Sequence, residues 1–335
     1  MPRPMAGPGP SGKTRDNSSP GTLAVGTYQE RGGKVSSGAH HLVARVLQDL
    51  DRAGVRWRSL GDPVAEESVE SWALGFERLD ERLIRPALLA HGFLRLQSGR
   101  EDGAAAYVAY HLPSDRWLRL FLHGRVSEEW PSWPPQGTAG GRFMAGGSQP
   151  GLTVALLGPD GSGKSTLAAR LRESYYFPTR LLYLGLWQQA EDFEVRDRLP
   201  GWNLGSRLLR IWRQYLVGQY YRRRGWLVVF DRYTYDALLA GQAAGNRRDR
   251  LYTWLLSRAC PPPDLTVVLD VPGEVMFARK GEGSLARLEE ERQRFLSLRE
   301  RLPGLQIVDA NRPLETVRAD VMEIVWSHYL GRDRA

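Results

Sequence analysis

Leu152-Thr-Val-Ala-Leu-Leu157 runs without a break into Gly158, Pro159, Asp160, Gly161, Ser162, Gly163, Lys164, Ser165 and Thr166. The first run is apolar along its length and predicts a buried strand. The second fits the pattern G-x-x-x-x-G-K-[ST]. Its glycines let the backbone wrap closely, so that several N–H groups converge on phosphate oxygens. At this spacing Lys164 reaches the β and γ phosphates of a nucleotide such as ATP, and the Ser165 hydroxyl ligates Mg²⁺. Leu167, Ala168 and Leu171 then recur as the apolar side of a helix. That helix starts near Gly163 and aims its positive dipole end at the same anions. Strand, loop and helix in this order predict an α/β fold of the P-loop kind, a parallel sheet with helices on both faces.

Two further runs suit the same sheet. Trp226-Leu-Val-Val-Phe230 leads into Asp231, Arg232 and Tyr233, and Pro263 to Asp270 is a second apolar run ending in an acid. An open α/β sheet gathers its ligand groups at such strand ends. A carboxylate there can hold a Mg²⁺-bound water, and an arginine can grip phosphate as a fork. Pattern alone leaves Asp231 and Asp270 both open as the metal acid. A helix cap or turn is the commoner role of one strand-end aspartate. Between the runs, Leu204 to Arg224 reads as a helix. Leu208, Leu209, Ile211, Trp212, Tyr215 and Leu216 are its expected buried side, with Arg207, Arg210 and Arg213 along one flank. Arg222 to Arg224 read as a solvated edge.

Upstream of the decisive stretch the composition changes twice. Residues 1–38 are rich in Gly, Pro, Ser and charge and predict a disordered tail. Residues 129–150 hold Pro131, Trp133, Pro134, Pro135 and many glycines, a linker composition. Between them, residues 39–128 predict a small α/β unit. It has a helix at His41 to Leu50, a strand at Val55 to Leu60 and a helix from Phe76 to Ala90. Strands follow at Phe93 to Leu96, Ala105 to Leu112 and Trp117 to Leu122. The reading is thus a tail, an accessory domain, a linker and a catalytic domain at 151–330 with its own core.

The chain has 335 residues and a formal net charge of +8, which favours anionic partners without choosing among them. A single cysteine, Cys260, rules out an intrachain disulfide. The first residues develop no apolar run, and no stretch approaches the ~18 apolar residues of a membrane helix. A cytoplasmic location without a membrane partner is expected. Nucleic acid rests on charge alone and is not expected as a partner. A homodimer is left open.

Strand, G-P-D-G-S-G-K-S-T, then D-R-Y, then P-D-L-T-V-V-L-D-V-P-G-E-V, then Ile307-Val-Asp-Ala310 resembles the ordered set of the thymidylate kinases over roughly residues 151–330. More closely, it resembles thymidylate-kinase-like proteins with an N-terminal accessory segment. The order of elements in residues 39–128 resembles a degraded nucleotidyltransferase-like segment. That unit lacks the Gly-Ser turn and paired carboxylates of a working one and is expected to be non-catalytic.

The resemblance implies Mg·ATP-dependent phosphorylation of a nucleoside monophosphate, with dTMP the default acceptor. It implies that Asp160 contacts the acceptor sugar hydroxyl. Asp231 and Arg232 would stand near Mg²⁺ and the acceptor phosphate, and Arg210 would lie on the acceptor nucleotide. Arg279, with Lys280, would begin a lid over the transferring group, and Arg287 is a second candidate for its transition-state arginine. Two family positions differ. Ser206 stands where an aromatic ring stacks on thymine, and Ala240 and Gly241 replace an aromatic-polar pair. Trp187, Trp202 or Trp212 could stack instead, although core is the commoner role of each.

Two other functions fit the same loop. A hydroxyl acceptor on a sugar or small metabolite would call for a carboxylate base, for which Asp160 or Asp236 would serve. A nucleotide-responsive module would bind without transfer.

Overall fold

The computed structural model describes residues 37–66, 68–96, 104–124, 150–185, 202–243, 247–281 and 284–334. The tail up to residue 36, the linker up to residue 149 and Trp187 lie outside them.

The helical spacing that begins at His41 produces α1 (Ser37–Arg52), which buries Leu42, Val43, Val46 and Leu50. Two short strands follow, β1 (Arg58–Ser59) and β2 (Val64–Ala65), and then the longer β3 (Val69–Phe76). An Asp80 carboxylate accepts the Arg82 N–H at 3.0 Å and starts α2 (Glu81–Ala90). β4 (Leu94–Leu96), β5 (Ala104–His111) and β6 (Arg116–Gly124) complete the first sheet. Its order is β1-β3-β6-β5-β4, with β2 beside β3. β3 and β6 run parallel, and its other pairs run antiparallel.

This half departs from the sequence reading in two places. The expected strand at Val55 to Leu60 shrinks to the two residues of β1. The helix expected from Phe76 starts at Glu81, because Phe76 closes β3, a strand the sequence reading missed. Both faces of β3 are covered. Trp72, Leu74 and Phe76 meet the helices, while Ala73 joins the opposite cluster, and the strand also buries Glu70 and Ser71. A strand buried on both faces shows no apolar-polar alternation to read.

The second half holds a five-stranded parallel sheet of order β11-β10-β7-β9-β8. Its elements are β7 (Thr153–Leu157), α3 (Lys164–Ser174), β8 (Thr179–Tyr183), α4 (Trp202–Arg223), β9 (Leu227–Asp231) and α5 (Asp236–Ala243). They continue as α6 (Arg247–Ser257), β10 (Leu265–Asp270), α7 (Gly273–Lys280), α8 (Leu285–Ser297), β11 (Gln306–Asp309) and α9 (Leu314–Arg334). This is the expected P-loop architecture.

Two expectations for α4 fail. Ile211 is buried, but Leu209, Trp212 and Leu216 are 73%, 43% and 57% exposed, and Tyr220 continues their row. The helix meets the sheet through a narrow stripe that includes Gly218, where an added Cβ would stand 2.7 Å from the Phe230 ring. Arg222 is no solvated edge. It forks onto Asp264 with two contacts of 2.9 Å, and Asp264 in turn accepts from the Thr153 N–H and hydroxyl at the start of β7.

The two sheets share one apolar cluster. Leu94, Leu96, Val108, Tyr110, Trp117 and Phe121 from the first sheet pack with Tyr175, Tyr176, Phe177, Trp326 and Tyr329 from the second half. Trp117 is central: its ring lies 5.1 Å from Trp326 and 5.5 Å from Tyr175. Its Nε1–H donates to the Ser174 carbonyl at the end of α3, 2.8 Å away. Arg318, 6% exposed, pairs across the seam with Asp115. The core of residues 151–330 is therefore continuous with that of the first sheet, where the sequence reading expected two separate cores.

Candidate active site

β7 ends at Leu157 and the chain turns at once. Gly158, Gly161 and Gly163 take φ values of +146°, +88° and +93°, where a side chain is strained. At Gly158 an added Cβ would stand 2.8 Å from Ser162 Oγ and 3.0 Å from the Leu269 carbonyl. Gly163 serves as the cap residue of α3, so Lys164 opens the helix. The Lys164 ammonium is folded back into the loop and donates to the Gly158 and Pro159 carbonyls, each at 2.8 Å. Burial, with Arg232 nearby, holds its pKa down to about 8. Phosphate in the loop would favour the charged form. Pro159 and Thr166 complete the loop and the first turn of α3.

β9 lies beside β7 and delivers Asp231 to the same edge, level with Leu156. The Ser165 hydroxyl donates to Asp231 Oδ2 at 2.5 Å. Serine hydroxyl and carboxylate form a pair of hard oxygen donors, which fits a small divalent cation that takes its other ligands from phosphate and water. Among the described residues no group of three or more His, Cys, Asp or Glu could hold a metal. Asp270, the rival acid, is engaged elsewhere. Arg292 forks onto both of its oxygens, at 2.5 and 3.0 Å.

Arg232 is one of two described non-glycine residues with positive φ, +70°. Its N–H donates to the Leu156 carbonyl at 3.1 Å, which ties the bend to β7. The bend carries the guanidinium between Asp160 on the loop and Asp236 on α5. Desolvation opposes the charge on Arg232, and the two carboxylates outweigh it, raising its pKa. Asp236 is 7% exposed, and burial lifts its pKa to about 6 against the pull of Arg232 and Lys164.

Arg279 comes from the end of α7 and points its Nη1 at the Gly161 carbonyl, 3.5 Å away. Glu289, which lies on α8, is bonded to Arg292, Gln293 and the Gly273 N–H and not to Arg279. Arg287 is exposed on α8, where its N–H meets the Ser284 cap. Lys280 is the last residue of α7. Arg210 reaches the Gly185 carbonyl at 3.4 Å, just past the end of β8.

Tyr183 was missed in the sequence. It ends β8 opposite Asp231 and is 41% exposed. Desolvation raises its pKa, with Arg232, Asp236, Asp231 and Asp160 as its charged surroundings. The short apolar run from Leu181 to Tyr183 was the available signal. Of the proposed stacking rings, Trp212 is 43% exposed and lies edge-on to Tyr215.

The chain is 32% identical over 188 residues to a probable thymidylate kinase of Metallosphaera sedula, covering 51% of this chain and 91% of that protein. It is 31% identical over 211 residues to a thymidylate kinase of Thermomicrobium roseum, covering 54% and 97%. A thymidylate kinase of Pseudomonas putida is 34% identical over 198 residues, covering 51% and 93%. No family model matches the chain. The matched span is about half of this chain and nearly the whole of each relative.

Proposed function

The chain belongs to the thymidylate kinase family, and we propose that it uses Mg·ATP to phosphorylate a nucleoside monophosphate, with dTMP the leading acceptor. The observation that carries this is the convergence of Lys164, Ser165, Asp160, Asp231, Arg232 and Arg279 on one edge of the parallel sheet. The kinship does not favour a hydroxyl-directed kinase or a binding module without transfer.

In this reading the loop from Gly158 to Thr166 holds the donor phosphates, and Lys164 leaves its carbonyl partners for their charge. Ser165 and Asp231 would hold Mg²⁺, which lowers the charge of the phosphates when bound. An acceptor phosphate is ionised at neutral pH and needs no general base. The barrier is repulsion between anions, so cations do most of the work. Arg232 takes the acceptor phosphate, Asp160 the acceptor sugar, and Arg210 the acceptor nucleotide. Arg279 stabilises the group in transit from the lid side.

The accessory half is proposed as non-catalytic. A homodimer is proposed on the row of Leu209, Trp212, Leu216 and Tyr220, whose exposure suits an apolar interface. No helix among the described residues is long and apolar enough to cross a membrane, and a cytoplasmic location is part of the same proposal. A phosphate-transfer screen of the full chain against nucleoside monophosphates, nucleosides and sugars tests the function. Turnover on monophosphates, strongest with dTMP, is expected. Turnover confined to hydroxyl acceptors overturns the reading.

A further inference from the structure

Arg232 carries two acids that differ in everything but charge. Its Nη2 pairs with Asp160, whose side chain is 58% exposed at the tip of the loop. Its Nη1 donates to Asp236 Oδ2 at 3.4 Å. Asp236 is the first residue of α5, and its Oδ1 is fully buried with no hydrogen-bond partner. An exposed ion pair on a loop is weak and easily exchanged. A carboxylate fixed at a helix start inside the site does not move aside. A buried carboxylate with one unpartnered oxygen is also expensive to keep for folding alone.

We infer that Asp236 is a positioning residue for Arg232. It holds the Nη1 side of the guanidinium while the Nη2 side turns from Asp160 to the acceptor phosphate. This rests on the acceptor reading above. The Asp160 carboxylate occupies the place on Arg232 that a phosphate oxygen takes over. The positive φ of Arg232 sets the direction of the side chain, and Asp236 sets the rotation of its planar fork. A fork grips phosphate with two donors only in one orientation.

Asp236→Asn tests this by removing the charge while keeping the size. The acceptor KM is expected to rise about tenfold or more, the usual loss for a charge-assisted hydrogen bond, while the KM for ATP stays within about twofold. The melting temperature is expected to hold or rise, because the buried charge is gone. Asp236→Ser, smaller and still polar, is a second variant with the same expectation. Because Asp236 acts through Arg232, Arg232→Ala with Asp236→Asn should be no worse than Arg232→Ala alone. An unchanged acceptor KM in both single variants overturns the inference, as do additive losses in the double variant. A wild-type chain that turns over no nucleoside monophosphate overturns the acceptor reading itself, and the inference with it.

Discussion

The two sheets of this chain treat their buried polar groups in opposite ways. In the parallel sheet, β7 and β9 end at the same edge, so Ser165 and Asp231, far apart in sequence, meet at 2.5 Å. Lys164, Arg232, Asp236 and Arg279 gather there too. The first sheet also buries polar residues, among them Glu70, Ser71 and Arg119. They pair within the sheet: Arg119 Nε donates to Ser71 Oγ at 3.0 Å, and Trp72 Nε1 donates to Glu70 Oε1 at 3.2 Å, while Glu70 Oε2 is buried without a hydrogen bond. Antiparallel strands alternate their ends, so strand-end side chains are divided between two edges. Parallel strands deliver them to one edge, where a loop and a helix start add backbone donors.

Lys164→Ala probes the reactive side of this contrast most severely. Turnover should fall about a thousandfold or more, in a chain that still folds although it loses the two buried hydrogen bonds to the Gly158 and Pro159 carbonyls. Near-normal turnover would erase the distinction between the two sheets. Trp117→Ala probes the opposite side. It removes a nearly fully buried ring and a hydrogen bond, and should cost about 3–5 kcal/mol in denaturant unfolding. ATP affinity in the folded fraction should stay near wild type.

A pH series sharpens the contrast within the site. The Asp236 pKa is raised from 3.8 to about 6, so the folded chain holds a proton there that the unfolded chain has lost. The stabilising contribution is complete below 3.8 and disappears as pH rises through 6. Wild type should therefore lose up to about 3 kcal/mol relative to Asp236→Asn between about pH 4 and pH 7. Thermal melts of both chains at each pH check the sign.

Two strand-end acids offer a finer comparison. Asp231→Asn should lower turnover roughly a hundredfold, with partial recovery at raised Mg²⁺. Asp270→Asn should leave turnover alone and cost about 1–2 kcal/mol of stability by loosening Arg292. Magnesium rescue of the Asp270 variant instead would exchange their roles. Among the site residues the smallest loss of turnover is expected at the lid. Arg279→Ala should lower kcat about ten- to a hundredfold with little change in ATP affinity. Arg279→Lys should recover little, because a point charge lacks the planar fork. Single-turnover rates at saturating ATP measure both.

The meeting of the candidate site residues at one sheet edge was legible because most of them are local in sequence. A loop of nine residues and one strand end carry Lys164, Ser165, Asp231 and Arg232. Asp270 looked the same as Asp231 until Arg292, a residue of α8, came to lie beside it. Asp236 was visible only as a possible base, because its burial depends on how the start of α5 comes to lie beside Arg232 and Lys164. Long-range covering hid more. β3 lost its alternation because each face meets a different layer. The exposed side of α4 was misread because hydrophobic spacing gives a helical face without saying which part of it the sheet will cover. The shared cluster around Trp117 left no mark in the linker composition that separates its halves.

That cluster has a consequence for biogenesis. The first sheet leaves the ribosome before the residues that cover it exist. Trp117, Tyr110 and Phe121 wait for Tyr175 to Phe177, and then for Trp326 and Tyr329 near the far end of the chain. At about 5–20 residues per second the last of these follow by roughly ten to forty seconds. During that interval an aromatic face stands open on a nascent chain. The first half is therefore open to association with other chains until the second half is made, and slow translation of the second half prolongs that exposure.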